Sequence, residues 1–210
     1  MELSRFETPL ASFYKVIVGS VVPRPIAWVS TISSDGMPNL APFSFFNVVC
    51  QNPPTILFCP GVRGTDGQQK DSFSNVRDNQ EFVVSLVSED LAAAMNKTAT
   101  EFPPEVDEFE YAGVTVAASK VVSAPRVAES PISFECKVSQ IVEVGDGSPG
   151  SGWVVLGEVV HIYVSDEVLL PNYRIDLDKL KPIGRLSGPR YARTTDRFEL
   201  LREPSQVLPR

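Results

Sequence analysis

Small polar side chains recur between residues 24 and 54, in a stretch that is otherwise apolar and aromatic. They carry hydroxyl or amide groups, and they are Ser30, Thr31, Asn39, Ser44 and Asn47. Such groups beside large apolar side chains are typical of small-molecule pockets, where they orient a ligand by hydrogen bonds. A hairpin with an ordinary polar outer face has the same pattern. The stretch therefore predicts either a ligand pocket or a plain hairpin.

Two strands joined by a tight turn are needed to position these groups. Residues 26–32 have the composition of a strand, and the Asp-Gly pair at 35–36 supplies the positive φ that a tight reversal requires. Residues 39–49 are predicted to return as a second strand, interrupted by the Ala-Pro pair at 41–42. Because proline donates no hydrogen bond to a sheet, we expect this strand at an edge, at a bulge, or turned toward a ligand.

Two cationic positions could bind an anion. Arg24 lies between two prolines at the start of the first strand, where it is either a solvated loop charge or an anion contact. Lys70 precedes Asp71 and Ser72, either of which could cap a helix that continues through residues 73–77. Free N–H groups at a helix N-terminus attract anions. This segment is therefore either a phosphate site or a plainly capped helix.

The composition excludes several classes of function. A net charge of −7 with no cluster of lysine or arginine argues against binding to nucleic acid or to an anionic membrane. His161 is the only histidine, so metal sites built from several histidines cannot form within one chain. A Ser-His-Asp triad would have to use this residue, which lies in the apolar run 153–164. The chemistry must therefore come mainly from a bound cofactor or from carboxylates, lysines and arginines.

The cysteine pattern and the N-terminus bear on the compartment. Cys50, Cys59 and Cys136 are an odd number without a CxxC pair, which argues against a disulfide scaffold or a structural zinc site and favours a reducing cytosol. There is no run of about 18 apolar residues and no basic head followed by an apolar block. We therefore expect a cytoplasmic protein that does not bind membranes.

The remaining chain reads mainly as strands. The predicted strands are residues 55–60, 81–87, 115–122, 132–144 and 153–164, the last with a bulge at Gly157. A helix is predicted at 89–99, an exposed acidic segment at 106–111, and either a strand or a short helix at 13–19. There is no repeat and no linker. About seven strands with short helices predict one mainly β antiparallel barrel.

With these residues laid out, the chain resembles the flavin reductase-like family, which includes flavoredoxin-type proteins. The resemblance spans residues 23–202 and rests on motifs in the family's order and spacing. These are RPIAWVST at 24–31, DGxxNLAPFSFFN at 35–47, NPP at 52–54, KDSxxN at 70–75, EFVVSLV at 81–87, GEVVHIYV at 157–164 and RLSGPRY at 185–191. It implies an FMN-binding split β-barrel, a Greek-key antiparallel barrel with short helices. It also implies one domain over residues 1–210 with a core at about 20–202.

The same resemblance implies that FMN binds non-covalently near the interface of a homodimer. Hydroxyl and amide groups on the hairpin would hydrogen-bond the flavin, and Lys70, Ser72 and Lys97 would lie near its phosphate or ring edge. Arg185 and Tyr191 would close the site. The full set of implied flavin contacts is Arg24, Trp28, Ser30, Thr31, Asn39, Ala41, Pro42, Ser44, Asn47, Lys70, Ser72, Lys97, Arg185 and Tyr191.

Some of these implied roles stay open. Trp28 would either pack on or beside the flavin ring or fill the core. Ser72 stands where relatives often have threonine, so the hydroxyl is retained. The loop at 61–69 is longer than usual for the family and could alter access to the flavin.

A flavin would explain how an enzyme could work with one histidine, because the cofactor supplies the redox chemistry. The resemblance leaves three functions open. The first is a reductase that takes electrons from NAD(P)H and passes them to free flavin, a quinone-like acceptor or a partner oxygenase. The second is a flavoredoxin-like carrier between redox proteins, and the third is a non-catalytic flavin-binding module. The residues indicate neither the acceptor nor the choice between NADH and NADPH.

Overall fold

A seven-stranded antiparallel sheet dominates the computed structural model, which describes residues 1–207. Its members in chain order are β1 (Ala27–Ile32), β2 (Pro38–Phe43), β3 (Phe46–Gln51), β4 (Pro54–Phe58), β5 (Glu81–Leu86), β8 (Ile132–Val144) and β9 (Gly152–Val164). Its strand order is β2-β1-β5-β8-β9-β4-β3, so β2 and β3 are the two edges. Only Ser44 and Phe45 separate these edges along the chain. The sheet therefore curls into a split barrel whose open seam begins at this bend.

Shorter elements surround the barrel. Three two-stranded pairs are β6 (Val116–Ala117) with β7 (Arg126–Val127), β10 (Leu169–Leu170) with β11 (Arg174–Ile175), and β12 (Ile183–Arg185) with β13 (Tyr191–Arg193). The α-helices are α1 (Leu10–Ser20), α2 (Asp71–Asn79), α3 (Ala92–Lys97), α4 (Glu108–Ala112) and α5 (Leu177–Leu180), and Glu89–Leu91 and Pro171–Tyr173 are 3₁₀ turns. Within the described residues, every helix is too short or too polar to span a bilayer.

The mainly β prediction is confirmed, with local corrections. The predicted second strand breaks at Ser44-Phe45 rather than at the Ala-Pro pair, because β2 is a sheet edge where Pro42 is tolerated. Segment 115–122 forms only the short β6, since the N–H groups of residues 120–122 instead donate to the buried carboxylate of Glu135 at 2.6–3.2 Å. Residues 13–19 are helical, within α1.

The predicted bulge at Gly157 has a different form. One register irregularity lies on β8, between Val138 and Gln140, opposite this glycine, and a second lies on β9, where Val160 falls between the partners of Glu135 and Cys136. Gly157 itself lies beneath the Phe82 ring, and a Cβ atom there would fall 2.5 Å from the ring's Cζ. The glycine is therefore required by the close approach of an aromatic side chain.

Aromatic side chains fill the barrel interior and fix the shape of its open end. Phe58 packs against Phe43 and Phe82 with ring centroids 5.1 and 5.0 Å apart. Phe73, on α2, stacks on Trp153 of β9 at 3.8 Å with an interplanar angle of 14°. Because aromatic stacking joins α2 to the barrel, the N-terminus of that helix is held beside β2.

Candidate functional site

Three cavities adjoin along β2 and the bend that follows it. Their volumes are about 330, 70 and 560 Å³, and Pro42 lines all of them. The first and third also share Tyr14, Ser44 and Phe45, and the second and third share Lys70. Because they have common walls, we treat them as one surface, the β2 cleft, made of the three cavities that meet at Pro42.

Arg24 forms the structural centre of the first cavity. Its guanidinium donates to the carbonyl oxygens of Val18 and Val21, both at 2.8 Å, and to that of Leu186 at 3.2 Å. Its Nε donates to the Ser44 hydroxyl at 3.2 Å. One buried cation thus joins the end of α1, the C-terminal loop and the bend between β2 and β3.

Arg185 and Tyr191 also line the first cavity. They are paired in register on β12 and β13, and the Arg185 guanidinium lies 4.8 Å from the centre of the Tyr191 ring and donates to its hydroxyl. The tyrosine hydroxyl donates in turn to Asn96 Oδ1 at 3.1 Å. This chain of contacts holds a cation and a phenol at the cavity surface.

The second cavity contains the N-terminus of α2. The helix begins after Lys70, and no side chain caps its first turn, so neither Asp71 nor Ser72 has the predicted capping role. Ser72 is buried and its hydroxyl accepts from Asn39 Nδ2 at 3.3 Å. Uncapped N–H groups with a neighbouring lysine and hydroxyl can bind an anion. These residues fit a phosphate group.

Glu108 also lines the second cavity, and the sequence interpretation missed it. The segment 106–111 was predicted to be exposed, yet Glu108 is only 8% exposed and its Oε2 accepts from the Leu40 N–H at 3.1 Å. Burial, with smaller contributions from the charges of Asp71 and Asp107, raises the pKa of this carboxyl to about 7. The sequence signal that could have revealed the buried Glu108 is Asp107, because its side chain caps α4, the helix that buries Glu108 and Phe109.

The third cavity is the largest and has mostly apolar walls. Phe45, Val62 and Trp153 contribute to it, and Lys70 lies where it meets the second cavity. Its volume falls within the range of small-molecule sites. Cys59 also lines it, and burial raises the pKa of this thiol, which keeps it protonated. The cleft therefore joins an apolar space to an end whose groups suit an anion.

The structure brings most of the sequence-predicted contacts to the cleft. Those that line at least one of its cavities are Arg24, Asn39, Ala41, Pro42, Ser44, Lys70, Ser72, Arg185 and Tyr191. They come from the segment before β1, the edge strand β2 and the bend after it, the N-terminus of α2 and the C-terminal hairpin. Tyr14, Phe45, Arg63 and Trp153 line the same surface but were not predicted, since bulky or cationic residues in loops have no pattern that marks them.

Other predicted contacts lie away from the cleft. Trp28 is fully buried and its Nε1 donates to Thr98 Oγ1 at 2.8 Å, which gives it the core role. Ser30 donates to the Pro125 carbonyl, and Thr31 accepts from Asn75 Nδ2 at 3.0 Å. Both are fully buried because both faces of β1 are covered. The other two predicted contacts have exposed side chains outside the cleft, Asn47 on β3 and Lys97 on α3.

The lone histidine also lies outside the cleft. His161 is on β9, and its Nδ1 is 3.0 Å from Oε1 of the buried Glu135 on β8. That carboxylate accepts from three backbone N–H groups. Burial opposes the ionisation of Glu135, but these hydrogen bonds and the histidine lower its pKa. The pair therefore has a role in holding segment 115–122 onto the barrel.

Known proteins resemble this chain over nearly its whole length. An uncharacterized protein from Aquifex aeolicus is 48% identical over 193 residues, which cover 92% of this chain and 95% of that protein. Nitrilotriacetate monooxygenase component B from Bacillus cereus has a similar structure, with a TM-score of 0.89 and 36% identity over 95% of this chain and 98% of that one.

A second solved structure is equally informative. The Pseudomonas fluorescens 2-nitrobenzoate 2-nitroreductase NbaA has a TM-score of 0.86 and 31% identity, covering 99% of this chain and 100% of that chain. Residues 18–180 match the family described as flavin reductase like domain. The match includes β2 and the α2 N-terminus, which both line the cleft. The chain therefore belongs to the flavin reductase-like family, with that family's split β-barrel fold.

Proposed function

We propose that the protein is an FMN-dependent oxidoreductase that takes electrons from NAD(P)H and passes them to a flavin or another acceptor. One observation carries this proposal: the uncapped N-terminus of α2, beside Lys70 and Ser72, opens into the same cleft as the apolar walls at Phe45 and Trp153. A flavin mononucleotide combines a phosphate with a flat apolar ring. The cleft offers a place for each part.

The residues of the cleft suggest a division of roles. Lys70, Ser72 and the first N–H groups of α2 would hold the phosphate. Asn39 and Ser44 would donate or accept hydrogen bonds along the ribityl chain, and the apolar walls would cover the ring and exclude water. The bound flavin supplies hydride and electron transfer, so no side chain has to act as a nucleophile. Arg185 would lie near the second substrate.

The names of similar proteins support a reductase. One is a component of a monooxygenase and another is a nitroreductase, and both activities require a supply of electrons. The observations on the cleft support this activity over transfer between proteins, because the first and third cavities, of about 330 and 560 Å³, leave room for a second small molecule. We infer NAD(P)H as donor on this basis.

We also propose that the protein works as a homodimer of one-domain chains covering residues 1–210. Helix α1 buries none of its residues and exposes Leu10, Tyr14 and Ile17. After Phe46, edge strand β3 is exposed along its whole length. Apolar surfaces and free strand edges of this kind are normally covered. A cytoplasmic location is consistent with cysteines that are all free.

An absorption spectrum of the purified protein, followed by anaerobic titration with NADH and then NADPH, tests the proposal. We expect a yellow protein that is bleached by one of the two donors. A yellow protein that stays oxidised until dithionite is added would point to an electron carrier. Protein that stays colourless after incubation with FMN would overturn the proposal.

A further inference from the structure

Glu108 occupies an unusual place beside the anion-binding end of the cleft. It is buried, it lines the second cavity together with Lys70 and Ser72, and its Oε2 holds the N–H of Leu40 on the outer edge of β2. Asn39, the neighbour of Leu40, donates to the Ser72 hydroxyl. The carboxyl therefore positions the strand that forms one wall of the cavity.

The charges around Glu108 are unbalanced. Arg63 Nη1 lies 3.8 Å from Asp71, and Lys70 Nζ lies 3.7 Å from Glu101, so the two cations of the second cavity each have an acidic partner. In residues 1–207, no cation lies within ion-pair distance of Glu108. The carboxyl faces Asp71 and Asp107, both acidic. An ionised Glu108 would therefore add a third carboxylate to this cavity.

A phosphate entering this cavity would meet that carboxylate. A phosphate monoester carries about 1.5 to 2 negative charges at neutral pH, and a like charge nearby disfavours the ionised form of a carboxyl group. Burial already raises the pKa of Glu108 to about 7, so near neutrality little free energy is needed to protonate it. With Glu108 neutral, one carboxylate fewer opposes the attraction of Arg63 and Lys70 for the phosphate.

We propose that Glu108 is a positioning residue of the phosphate site that takes up one proton from solvent when FMN binds. The proton adds to the carboxylate and nothing is released, so FMN affinity falls as the pH rises above neutrality. Riboflavin has the same ring without the phosphate, and its affinity does not follow this dependence. The inference rests on the proposed function, because it places a flavin phosphate at α2.

The test compares the dissociation constants of FMN and riboflavin between pH 7 and pH 8.5 by titration calorimetry. For the natural protein we expect FMN to bind roughly tenfold more weakly at pH 8.5 than at pH 7, as one linked proton allows, and riboflavin to change less than about twofold. Calorimetry in two buffers of different ionisation enthalpy at pH 8 should give close to one proton taken up per FMN.

Glu108→Gln provides the decisive variant, since the amide oxygen can still accept from Leu40 without a charge. We expect its FMN affinity to be independent of pH and, at pH 8.5, about tenfold tighter than that of the natural protein. Glu110→Gln, an exposed neighbour on the same helix, is the matched control and should keep the natural pH dependence. The proton count on the natural protein tests the proposal even if a variant fails to fold.

The results that would overturn this inference differ from those that would overturn the proposed function. FMN binding without proton uptake, or with an unchanged pH dependence in Glu108→Gln, would overturn the role of Glu108 and leave the flavin site standing. The same pH dependence for riboflavin would also overturn it. Failure of both flavins to bind the natural protein at any pH would overturn the proposed function and this inference together.

Discussion

Arg24 and Arg185 exchange two backbone hydrogen bonds at the wall of the β2 cleft. The N–H of Arg24 donates to the carbonyl of Arg185 at 2.9 Å, and the reverse bond is 2.8 Å long. The entry to the first strand and the C-terminal hairpin are thereby joined, although they are far apart in sequence. Beside them, Gly184 lies so close to Pro23 that a Cβ atom would fall 2.8 Å from its ring.

Replacing Arg24 should loosen this junction. We expect Arg24→Met to lower the free energy of unfolding by about 2 kcal/mol, because the carbonyl oxygens of Val18, Val21 and Leu186 lose the donor of their partly buried hydrogen bonds. Chemical denaturation gives the stability, and limited proteolysis should show faster cleavage around α1. Arg24→Lys keeps the charge but not the branched donor and should recover only part of the loss. Unchanged stability in the methionine variant would contradict this account.

Lys70 and Lys97 provide a matched pair for testing the phosphate site. Lys70 lines the cleft at the α2 N-terminus, whereas Lys97 is exposed on α3 outside it. We expect Lys70→Met to weaken FMN binding at least about tenfold, as for a lost charge-assisted hydrogen bond, and to leave riboflavin binding unchanged. Lys97→Met should affect neither flavin. Fluorescence titration measures both, and equal effects of the two substitutions would place the phosphate elsewhere.

The barrel strands could be predicted from the sequence because their signals are local. The alternation along residues 132–144 and the Gly-rich turn before Trp153 predict the β8–β9 hairpin without reference to the rest of the chain. Segments 106–111 and 115–122 could not be predicted in this way. Their structures depend on distant partners, since Glu108 binds Leu40 and the N–H groups of residues 120–122 bind Glu135.

The candidate site was partly predictable for the same reason. The sequence motifs singled out Ser44, Lys70 and Ser72, and the structure brings all three to one cleft. Ser30 and Thr31 have the same chemical groups, but both faces of β1 are covered and their hydroxyls bind Pro125 and Asn75. A single sequence cannot tell a buried, satisfied hydroxyl from one that faces a ligand, because that depends on which distant segments cover each face of the sheet.

Gly157 offers a test of the barrel packing. An alanine Cβ would fall 2.5 Å from the Phe82 ring, so Gly157→Ala should lower the free energy of unfolding by about 1–3 kcal/mol through overpacking. Combining it with Phe82→Leu removes the clash, and the double variant should be less destabilised than the sum of the two single changes. Thermal or chemical unfolding measures this. Additive losses would mean that the two residues do not interact.

Ser44 and Asn47 should differ in their effect on flavin binding. Ser44 lines two cavities of the cleft, whereas the side chain of Asn47 on β3 is exposed and accepts from the adjacent Val48 N–H. Within one chain, Ser44→Ala should weaken FMN binding roughly fivefold through a lost hydrogen bond, and Asn47→Ala should not. If Asn47→Ala lowers the FMN affinity relative to the natural protein in the dimer, and the difference disappears when both are diluted to monomers, the second copy supplies this residue.

The stability of the flavin-free protein should depend on pH through Glu108. Its pKa is about 7 in the folded protein and near 4.5 when unfolded, so between these values the folded state binds more protons and stability falls as the pH rises. Above pH 7 this loss of stability levels off.

The Glu108→Gln variant does not lose stability in this way, so between pH 5 and pH 7.5 its free energy of unfolding should rise by on the order of 1–2 kcal/mol relative to that of the natural protein. Residual solvent contact screens part of the charge and keeps this difference small. Denaturant unfolding at several pH values measures the difference, with Glu110→Gln as control. A difference that stays constant from pH 5 to pH 8 would mean that Glu108 titrates as an exposed carboxyl.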